Sequence, residues 1–285
     1  MPRRSGLPWA SGCFSDPDGL ARLRGRGMDV LNIYMGRRNW SDIASAAGMS
    51  QIRGRSETIM CSYPMFPDNM SGDWTGGANG KYDAYHRSSA AALASYGRPF
   101  ILRIGWEWNN RGRPWACLRV KDSGAYRTYF QRIVTALRTK LGSSWIDWSC
   151  DKGGHTDDDV RKWYPGNSHV DFLGPNQYDF WPAIKSSGDW SAAYHATIKG
   201  GPRGMGAWLD YARSNGKKMS VGEWGLITGD PASGGDNPVF IQKVMEFYRA
   251  NAGSIAYESY FNKNNSRRHA LASNPKGLAA YKAAM

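Results

Sequence analysis

Apolar, β-branched and aromatic residues recur along the chain in short runs, separated by segments of helical period or by glycine-rich segments. Short apolar runs bounded by turn residues are typical of buried strands. We count eight of them: Ser11–Phe14, Met28–Met35, Glu57–Phe66, Pro99–Trp108, Trp145–Asp151, Val170–Tyr178, Lys218–Trp224 and Ser254–Phe261. Eight strands that alternate with helices predict an α/β protein, a parallel (β/α)8 TIM barrel.

Several of the intervening segments repeat their apolar positions with the period of a helix. One has apolar residues at Tyr126, Phe130, Ile133, Val134, Leu137 and Leu141, with Ser123 before them as the predicted N-cap. Further helices are predicted over Lys81–Tyr96, Gly204–Asn215, Pro238–Ala250 and Asn274–Met285, with Gly216 and Gly253 as stop signals. Polar loops over Asp68–Gly80, Asn109–Pro114 and Thr228–Asp236 follow predicted strands, where the active site of a TIM barrel lies.

The length of 285 residues suits one barrel, and because no repeat or linker is evident we predict a single domain over residues 1–285. No apolar stretch approaches the length of a membrane span, so we expect no membrane insertion, and we expect a monomer. The first residues lack the apolar segment of a secretion signal. We nevertheless favour an extracellular or cell-envelope location, which would require that a leader has been removed.

The chain is strongly basic, with 37 Lys and Arg against 24 Asp and Glu and a formal net charge of +13. Such an excess attracts polyanions, although solubility alone is an alternative explanation. The basic residues are scattered, without zinc-finger spacing, an RNP motif or a basic helix, so no nucleic-acid partner is expected. An acidic polysaccharide or an anionic cell surface is the favoured partner.

Aromatic residues are abundant, with 13 Trp and 15 Tyr. Such rings often line sugar-binding clefts, because the apolar face of a pyranose lies against them. Trp9, Trp74, Trp115 and Trp181 fall in predicted loops and are candidate sugar platforms, with a place in the core as the alternative for each.

Neither the cysteines nor the acidic segment from Asp151 to Asp159 has the spacing of a metal site. Cys13, Cys61, Cys117 and Cys150 lie far apart, which argues against zinc and thioredoxin sites and leaves a disulfide between any two open. His155 stands among Asp151, Asp157, Asp158 and Asp159, but this string lacks the glycine and spacing of a calcium loop. We therefore expect neither a metal nor a cofactor.

Two runs of similar construction lead to a glutamate beside tryptophan: Glu107 between Trp106 and Trp108, and Glu223 before Trp224. Paired carboxylates at strand ends suit cleavage of a glycosidic bond, in which one carboxylic acid protonates the leaving oxygen and the other attacks or activates water. A carboxyl separation of about 5 to 5.5 Å favours retention and about 6.5 Å or more favours inversion. We predict the shorter distance.

The surroundings of Glu107 follow from the alternation of side chains along a strand. If the fourth strand stays regular, Arg103 shares a face with Glu107, and Trp106 and Trp108 point to the other face. A structural role, as a helix cap or as the partner of an arginine, is the alternative for each of the two glutamates.

With a third run, Trp163–Asp179, these motifs resemble glycoside hydrolase family 26, whose members are retaining β-mannanases and related β-glycanases. The family's fourth-strand pattern is matched at Arg103, Glu107 and Asn109, its sixth-strand pattern at Tyr164, Pro165, Gly166, Val170, Asp171, Gly174 and Tyr178, and its Glu-Phe-Gly by Glu223-Trp224-Gly225. The resemblance implies Glu107 as acid/base and Glu223 as nucleophile, with Tyr178 hydrogen-bonded to the nucleophile. Trp106 replaces a family histidine and Asn176 a family aspartate, which leaves mannose specificity open.

We therefore expect a retaining endo-β-glycosidase that hydrolyses a polysaccharide, with an acidic or decorated bacterial exopolysaccharide or envelope glycan as the favoured substrate. The alternatives are a β-mannanase acting on neutral mannan and a non-catalytic glycan-binding barrel. The residues predicted to contact the sugar are Arg103, Trp106, Asn109, Asn176, Tyr178, Trp224, Trp74, Trp115, Trp181 and Tyr260.

Overall fold

The computed structural model describes residues 4–116, 122–152 and 158–285. Its main strands are β1 (Ala10–Phe14), β2 (Val30–Tyr34), β3 (Thr58–Tyr63), β4 (Phe100–Ile104), β5 (Trp145–Asp151), β6 (Phe172–Tyr178), β9 (Lys218–Gly225) and β10 (Ile255–Phe261). They close into a parallel barrel in the order β1-β2-β3-β4-β5-β6-β9-β10, with β10 paired to β1. The predicted (β/α)8 barrel is confirmed, and each of the eight apolar runs overlaps one of its strands.

Helices connect or flank the strands: α1 (Pro17–Arg24), α2 (Trp40–Ala44), α3 (Trp74–Ala78), α4 (Asp83–Ala94), α5 (Ser123–Arg138), α6 (Ser187–Tyr194), α7 (Met205–Ser214), α8 (Pro238–Ala250) and α9 (Pro275–Ala283). Short 3-10 helices span Met49–Ile52, Val160–Trp163, Ala252–Ser254 and Leu271–Ser273. A small antiparallel hairpin, β7 (Thr197–Ile198) and β8 (Gly201–Pro202), precedes α7. The predicted helices are present within a few residues of their expected ends.

Local chemistry explains where two of the helices begin. The Asn237 side chain accepts hydrogen bonds from the amides of Val239 and Phe240 and so caps α8, which has proline in its first turn. In α5 the cap is Asp122, whose carboxylate accepts from the amides of Gly124 and Ala125. The predicted cap, Ser123, is instead the first helical residue, because the preceding carboxylate holds the free amides.

The fourth strand is shorter than predicted. β4 ends at Ile104, and the chain then turns with positive φ angles of 55° at Gly105 and 52° at Glu107. The apolar run from Pro99 to Trp108 does not predict this turn, because Trp106 and Trp108 continue the apolar pattern beyond the end of the strand. The alternation predicted for Arg103, Trp106 and Glu107 therefore does not apply past Ile104.

The chain packs as two compact units. One contains the described residues up to Asn32 together with Gly174–Met285, and the other contains Ile33–Leu173. In the first unit Trp9, Trp208 and Trp224 are fully buried. In the second unit Trp108 stacks on Trp148 with ring centroids 5.3 Å apart. Much of the aromatic content is therefore core packing.

Candidate active site

In the first unit, Glu223 lies near the carboxyl end of β9 and is 3% exposed. Its neighbour Trp224 packs against Tyr248 of α8 and Tyr281 of α9, with ring centroids at 5.6 and 6.1 Å. The register between β9 and β10 shifts between Val221 and Trp224, so the contact with Tyr178, and not simple strand alternation, locates the Glu223 side chain. The Tyr178 hydroxyl at the end of β6 donates a hydrogen bond to Glu223 Oε2 at 2.8 Å.

A histidine that belongs to none of the sequence motifs lies beside Tyr178. His269 packs against the rings of Tyr178 and Phe261 at 5.5 and 5.1 Å, and its Nδ1 is 3.0 Å from the carbonyl oxygen of Leu226. A carbonyl only accepts, so Nδ1 carries the proton of the neutral ring. Burial lowers the pKa of His269, which favours that neutral form. The sequence gives no local signal for this histidine, since Leu226 and Tyr178 are remote from it along the chain.

A row of rings continues from Tyr178 toward the end of β1. Phe261 lies 6.0 Å from the Tyr178 ring and 4.9 Å from that of Phe14, its register partner on β1. The Lys263 ammonium lies 5.7 Å from the centroid of the Phe14 ring. Lys263 is exposed, and no side chain in the described residues forms an ion pair with it. The row of rings thus leads from Tyr178, which hydrogen-bonds Glu223, to the ammonium of Lys263.

Three residues predicted to contact sugar in this unit are buried. Asn176 on β6 is 1% exposed, and Tyr260 and Trp224 are fully buried. Tyr260 donates to the backbone oxygen of His269 at 3.0 Å and accepts from the Leu226 amide at 3.3 Å, so it braces the loop that carries His269. Trp224 donates through Nε1 to Glu258 on β10.

Glu258 is a buried acid outside the predicted site. Burial raises its pKa to about 7, against the lowering effects of hydrogen bonds from Ser11 and Trp224 and of the charge of Arg24. Its hydrogen bond from Trp224, whose ring packs against α8 and α9, places it on the helix-facing side of β10. A perturbed pKa alone would have pointed to Glu258 and not to either glutamate of the sequence motifs.

In the second unit, Glu107 lies in the turn after β4 and is 7% exposed. Its left-handed φ of 52° is unusual for a residue with a side chain, and such conformations persist where neighbouring contacts fix them. Here the Glu107 amide donates to the Ser149 carbonyl at 3.2 Å, and its own carbonyl accepts from the Asn110 amide at 2.7 Å. The Arg113 guanidinium donates to Glu107 Oε2 through Nε at 2.9 Å and through Nη2.

Arg103 and Asn109 connect this turn to neighbouring strands. Arg103 is fully buried on β4 and donates through Nε to Ser149 Oγ at 2.9 Å. Asn109 donates through Nδ2 to the Asp151 carbonyl at 2.8 Å and accepts from the Asp151 amide at 2.7 Å. Both residues thereby tie the β4 segment to β5 and fix the backbone that presents Glu107.

The tryptophans beside Glu107 are packed rather than exposed. Trp106 and Trp115 are fully buried, with ring centroids 4.5 Å apart, and Trp115 Nε1 donates to the Trp106 carbonyl at 2.8 Å. Two guanidinium groups lie near the Trp106 ring, that of Arg37 at 5.2 Å and that of Arg113 at 5.7 Å. Cation–π attraction to the Trp106 ring helps to hold Arg113, the arginine that contacts Glu107.

Of the four tryptophans predicted as sugar platforms, Trp181 presents its ring to solvent, with 62% of its surface exposed. It follows β6 directly after Tyr178, Asp179 and Phe180. Trp9, Trp74 and Trp115 are at most 3% exposed, and Trp74 belongs to α3 rather than to a loop. Their rings are occupied by core packing, so Trp181 is the one of the four whose ring is open to a ligand.

The remaining chemistry is sparse. Cys13, Cys61 and Cys150 are buried and in the thiol form, and Cys117 lies outside the described residues. Within residues 4–116, 122–152 and 158–285 no cluster of three or more His, Cys, Asp or Glu could hold a metal ion, and His155 and Asp157 of the acidic string lie outside these ranges. No helix in the described part of the chain has the length and apolar character needed to cross a membrane.

Comparison with known proteins finds similarity to glycoside hydrolases. The chain is similar to Endoglucanase H of Acetivibrio thermocellus, with 25% identity over 272 residues, and the match covers 92% of this chain. It spans 28% of the length of that curated relative. No family model matches the chain.

Solved structures of family 26 enzymes share the fold. The catalytic domain of the GH26 endo-β-1,4-mannanase of Bacillus sp. JAMB-750 superposes with a TM-score of 0.69 at 16% identity, covering 98% of this chain and 86% of that one. GH26C from Muricauda sp. MAR_2010_75 gives a TM-score of 0.70 at 14% identity, covering 98% and 85%. The resemblance to family 26 that the motifs indicated is therefore confirmed at the level of the fold.

Proposed function

We propose that the protein is a retaining endo-β-glycosidase that hydrolyses a polysaccharide, with Glu107 as general acid and then base and Glu223 as nucleophile. The observation that carries the proposal is the hydrogen bond from Tyr178 to Glu223 Oε2 at 2.8 Å. The motif resemblance predicts this contact, and a neutral hydroxyl orients a carboxylate without adding a positive charge beside it. The similarity to an endoglucanase and to family 26 mannanase structures supports the same reaction class.

In the first step, a Glu223 oxygen forms a bond to the anomeric carbon while the glycosidic bond breaks. Glu107 transfers its proton to the departing oxygen. In the second step, Glu107 takes a proton from water, whose oxygen attacks the anomeric carbon and releases Glu223. This sequence requires the two carboxyl groups to lie about 5 to 5.5 Å apart. It needs no cofactor.

The Arg113 contact suits the second half of this cycle. After Glu107 has given up its proton it is a carboxylate, and the two N–H groups of Arg113 hold its Oε2 in place. Asn109 and Ser149 fix the turn at Gly105–Asn110. The turn thereby holds the Glu107 carboxylate in position while water enters. A rigid supporting shell of this kind is what proton transfer at a defined position requires.

Neutral β-mannan is a second candidate substrate, favoured by the endo-β-1,4-mannanases among the structural neighbours. The curated relative is named as an endoglucanase, which adds β-glucan to the candidates. Trp106 and Asn176, which replace residues of the family pattern, leave the choice of sugar to experiment.

An acidic or decorated glycan remains the favoured substrate because of the cation at the end of the ring row. Rings of Phe14 and Phe261 offer a surface for a pyranose, and the unpaired ammonium of Lys263 lies beside them. A sugar seated there with a carboxylate would place that group near the cation. The overall charge of +13 would add attraction at longer range.

Hydrolysis is tested by incubating the protein with neutral β-mannan, β-glucan and their carboxymethyl derivatives, and following the anomeric proton of new reducing ends by NMR. We expect products that first appear with the stereochemistry of the cleaved bond. Initial appearance of the inverted anomer would contradict the double displacement. Absence of cleavage across the panel, with binding retained, would favour a glycan-binding barrel.

The acidic preference is tested separately with Lys263→Gln. We expect the ratio of kcat/KM on carboxymethyl mannan to that on mannan to fall about three- to fivefold, the effect of one exposed charge pair. The matched control is Lys282→Gln, which removes another exposed lysine, near the end of α9. Equal ratios in both variants would contradict the role of Lys263.

A further inference from the structure

A basic pocket lies at the end of the second unit opposite to Glu107. It has a volume of about 400 Å³ and is lined by Ile52, Arg53, Gly54, Arg55, Ser95, Tyr96 and Arg98. We call this the arginine pocket. Its two wall segments precede β3 and β4, which are neighbouring parallel strands, so both lie at the amino-terminal edge. The five residues of β4, at about 3.3 Å each, put roughly 17 Å between this edge and the turn that carries Glu107.

The pocket is held in shape by the backbone and by Arg98. Gly54 and Gly97, one in each wall, have positive φ angles of 75° and 64°, which lets both segments turn sharply before their strands. Arg98 donates through Nη1 to the Arg55 carbonyl at 2.7 Å and through Nη2 to the Glu57 carbonyl. The Arg98 guanidinium therefore links the segment before β4 to the segment before β3.

The charge balance of the arginine pocket favours an anion. Three arginines line it and no acidic residue does. Glu57, just outside the lining, pairs with Arg55. Burial raises the pKa of Glu57, but the hydrogen bonds of Arg55 and of the backbone outweigh it and lower that pKa. Glu57 is therefore ionised, and its charge is paired with Arg55, one of the three arginines. Arg53 is exposed, and its guanidinium has no hydrogen-bond or ion-pair partner among the described residues.

We propose that the arginine pocket is a second carbohydrate-binding site, which takes an anionic sugar residue of a polysaccharide away from the cleavage site. Guanidinium groups match the planar geometry of carboxylates, and the ring of Tyr96 offers a surface for the sugar. The volume falls in the range of small-ligand sites. The site is independent of the catalytic assignment, because it would bind the polymer whether or not Glu107 and Glu223 cleave it.

The test is a calorimetric titration of the full chain with tetragalacturonate, using neutral mannohexaose as the uncharged probe, at constant ionic strength. We expect tetragalacturonate to bind, and Arg53→Gln to weaken binding about three- to fivefold, the range for one partly exposed charge contact. Arg53→Lys should retain most of the affinity. The matched control is Arg22→Gln, an exposed arginine on α1 that lies outside the pocket.

Location is read by hydrogen exchange, which should show slower exchange at amides 52–55 and 95–98 when tetragalacturonate is bound. Equal affinities in the Arg53→Gln and Arg22→Gln variants, or protection confined to other segments, would overturn the proposal. So would equally tight binding of mannohexaose. If inorganic phosphate displaces the sugar at equal concentration and Tyr96→Leu leaves the affinity unchanged, the pocket recognises a bare anion and the assignment to sugar is wrong.

Discussion

Glu107 and Glu223 come from runs that look alike in the sequence but are built differently in the structure. Glu223 lies within β9 where the register with β10 shifts, is oriented by the neutral hydroxyl of Tyr178, and has a neighbouring tryptophan that packs on the helices. Glu107 lies beyond its strand in a left-handed turn and is held by a cation, Arg113. A strand position and a hydroxyl donor hold one carboxylate, whereas a cation and a left-handed turn beyond the strand hold the other.

The difference suits the two proposed roles. A nucleophile must approach one carbon along one line, so a rigid strand with a hydroxyl donor is appropriate. An acid/base must accept, hold and release a proton, and its charge changes during the cycle. Arg113 can pair with Glu107 when Glu107 becomes charged. The turn that carries Glu107 is anchored at Asn109 and Ser149, so this pairing need not move the strand.

Substitution of the two glutamates gives the largest expected effect. Glu223→Gln should lower kcat by about 10⁴-fold or more on every substrate, because no nucleophile remains. Glu107→Gln should lose a similar factor on polysaccharide but far less in the first step with an aryl glycoside, whose leaving group needs no proton. Stopped-flow release of the aryl group measures that step. Equal losses for both variants on the aryl glycoside would contradict the division of roles.

Azide provides a control for this comparison. A small anionic nucleophile can replace the water that Glu107 activates, so azide should restore turnover of the aryl glycoside by Glu107→Gln and yield a glycosyl azide of retained configuration. With Glu223→Gln, azide should instead yield the inverted product. The reverse pattern would exchange the two assignments.

The dependence of the Glu107 turn on Gly105 is the next test. A Cβ at Gly105 would lie 2.5 Å from Met65 Sδ, in addition to the left-handed backbone. Gly105→Ala should therefore destabilise the protein by about 2 to 3 kcal/mol. Gly97→Ala is the matched control, because it has a similar φ of 64° and open space around the new methyl group. It should cost about 1 kcal/mol. Denaturant unfolding of both variants measures the difference, and equal losses would show that Met65 yields freely.

The sequence was sufficient for the barrel, and it supplied the two glutamates of the proposed mechanism, whose roles stay a prediction. Continuous apolar runs bounded by glycine and proline locate buried parallel strands, and the ends of these strands locate the site. It could not give the turn at Glu107, because a left-handed conformation at a non-glycine residue is imposed by distant contacts such as that with Ser149. Tryptophan was ambiguous for a similar reason, since Trp115 and Trp181 differ only in what the fold packs around them.

Two histidines extend the comparison between the units. His269 lies beside Tyr178 in the first unit, and His86 is fully buried in the second. The hydroxyl of Tyr129 donates to the Met65 carbonyl at 2.8 Å, so its oxygen accepts from His86 Nε2, also at 2.8 Å. His86 Nδ1 then accepts from the Tyr63 hydroxyl at 2.7 Å. Only the neutral imidazole satisfies both contacts.

Burial lowers the pKa of His86 from 6.5 to about 3, so protonation of this residue opposes folding. The contribution of the neutral ring is fully present above pH 6.5 and is lost as the pH falls from about 6.5 toward 3. The slope approaches 1.4 kcal/mol per pH unit within that window. Unfolding of the native protein and of His86→Gln, measured by urea titration across this range, should show a shallower slope in the variant. Parallel slopes would place the acid sensitivity in other groups.

The smallest effect is expected at Trp181, the candidate sugar platform that follows β6. Trp181→Ala removes an exposed ring that makes little core packing, so stability should change by less than about 0.5 kcal/mol. If the ring stacks on a sugar, KM should rise about five- to tenfold with kcat nearly unchanged, since the contact is the same in the ground and transition states. Tyr85→Ala is the control, because Tyr85 is the other large exposed aromatic, at 39% exposure, and lies on α4 of the second unit. An equal rise in KM for both variants would show that surface aromatics in general attract the polymer, and that the strand-end position of Trp181 confers no specific role.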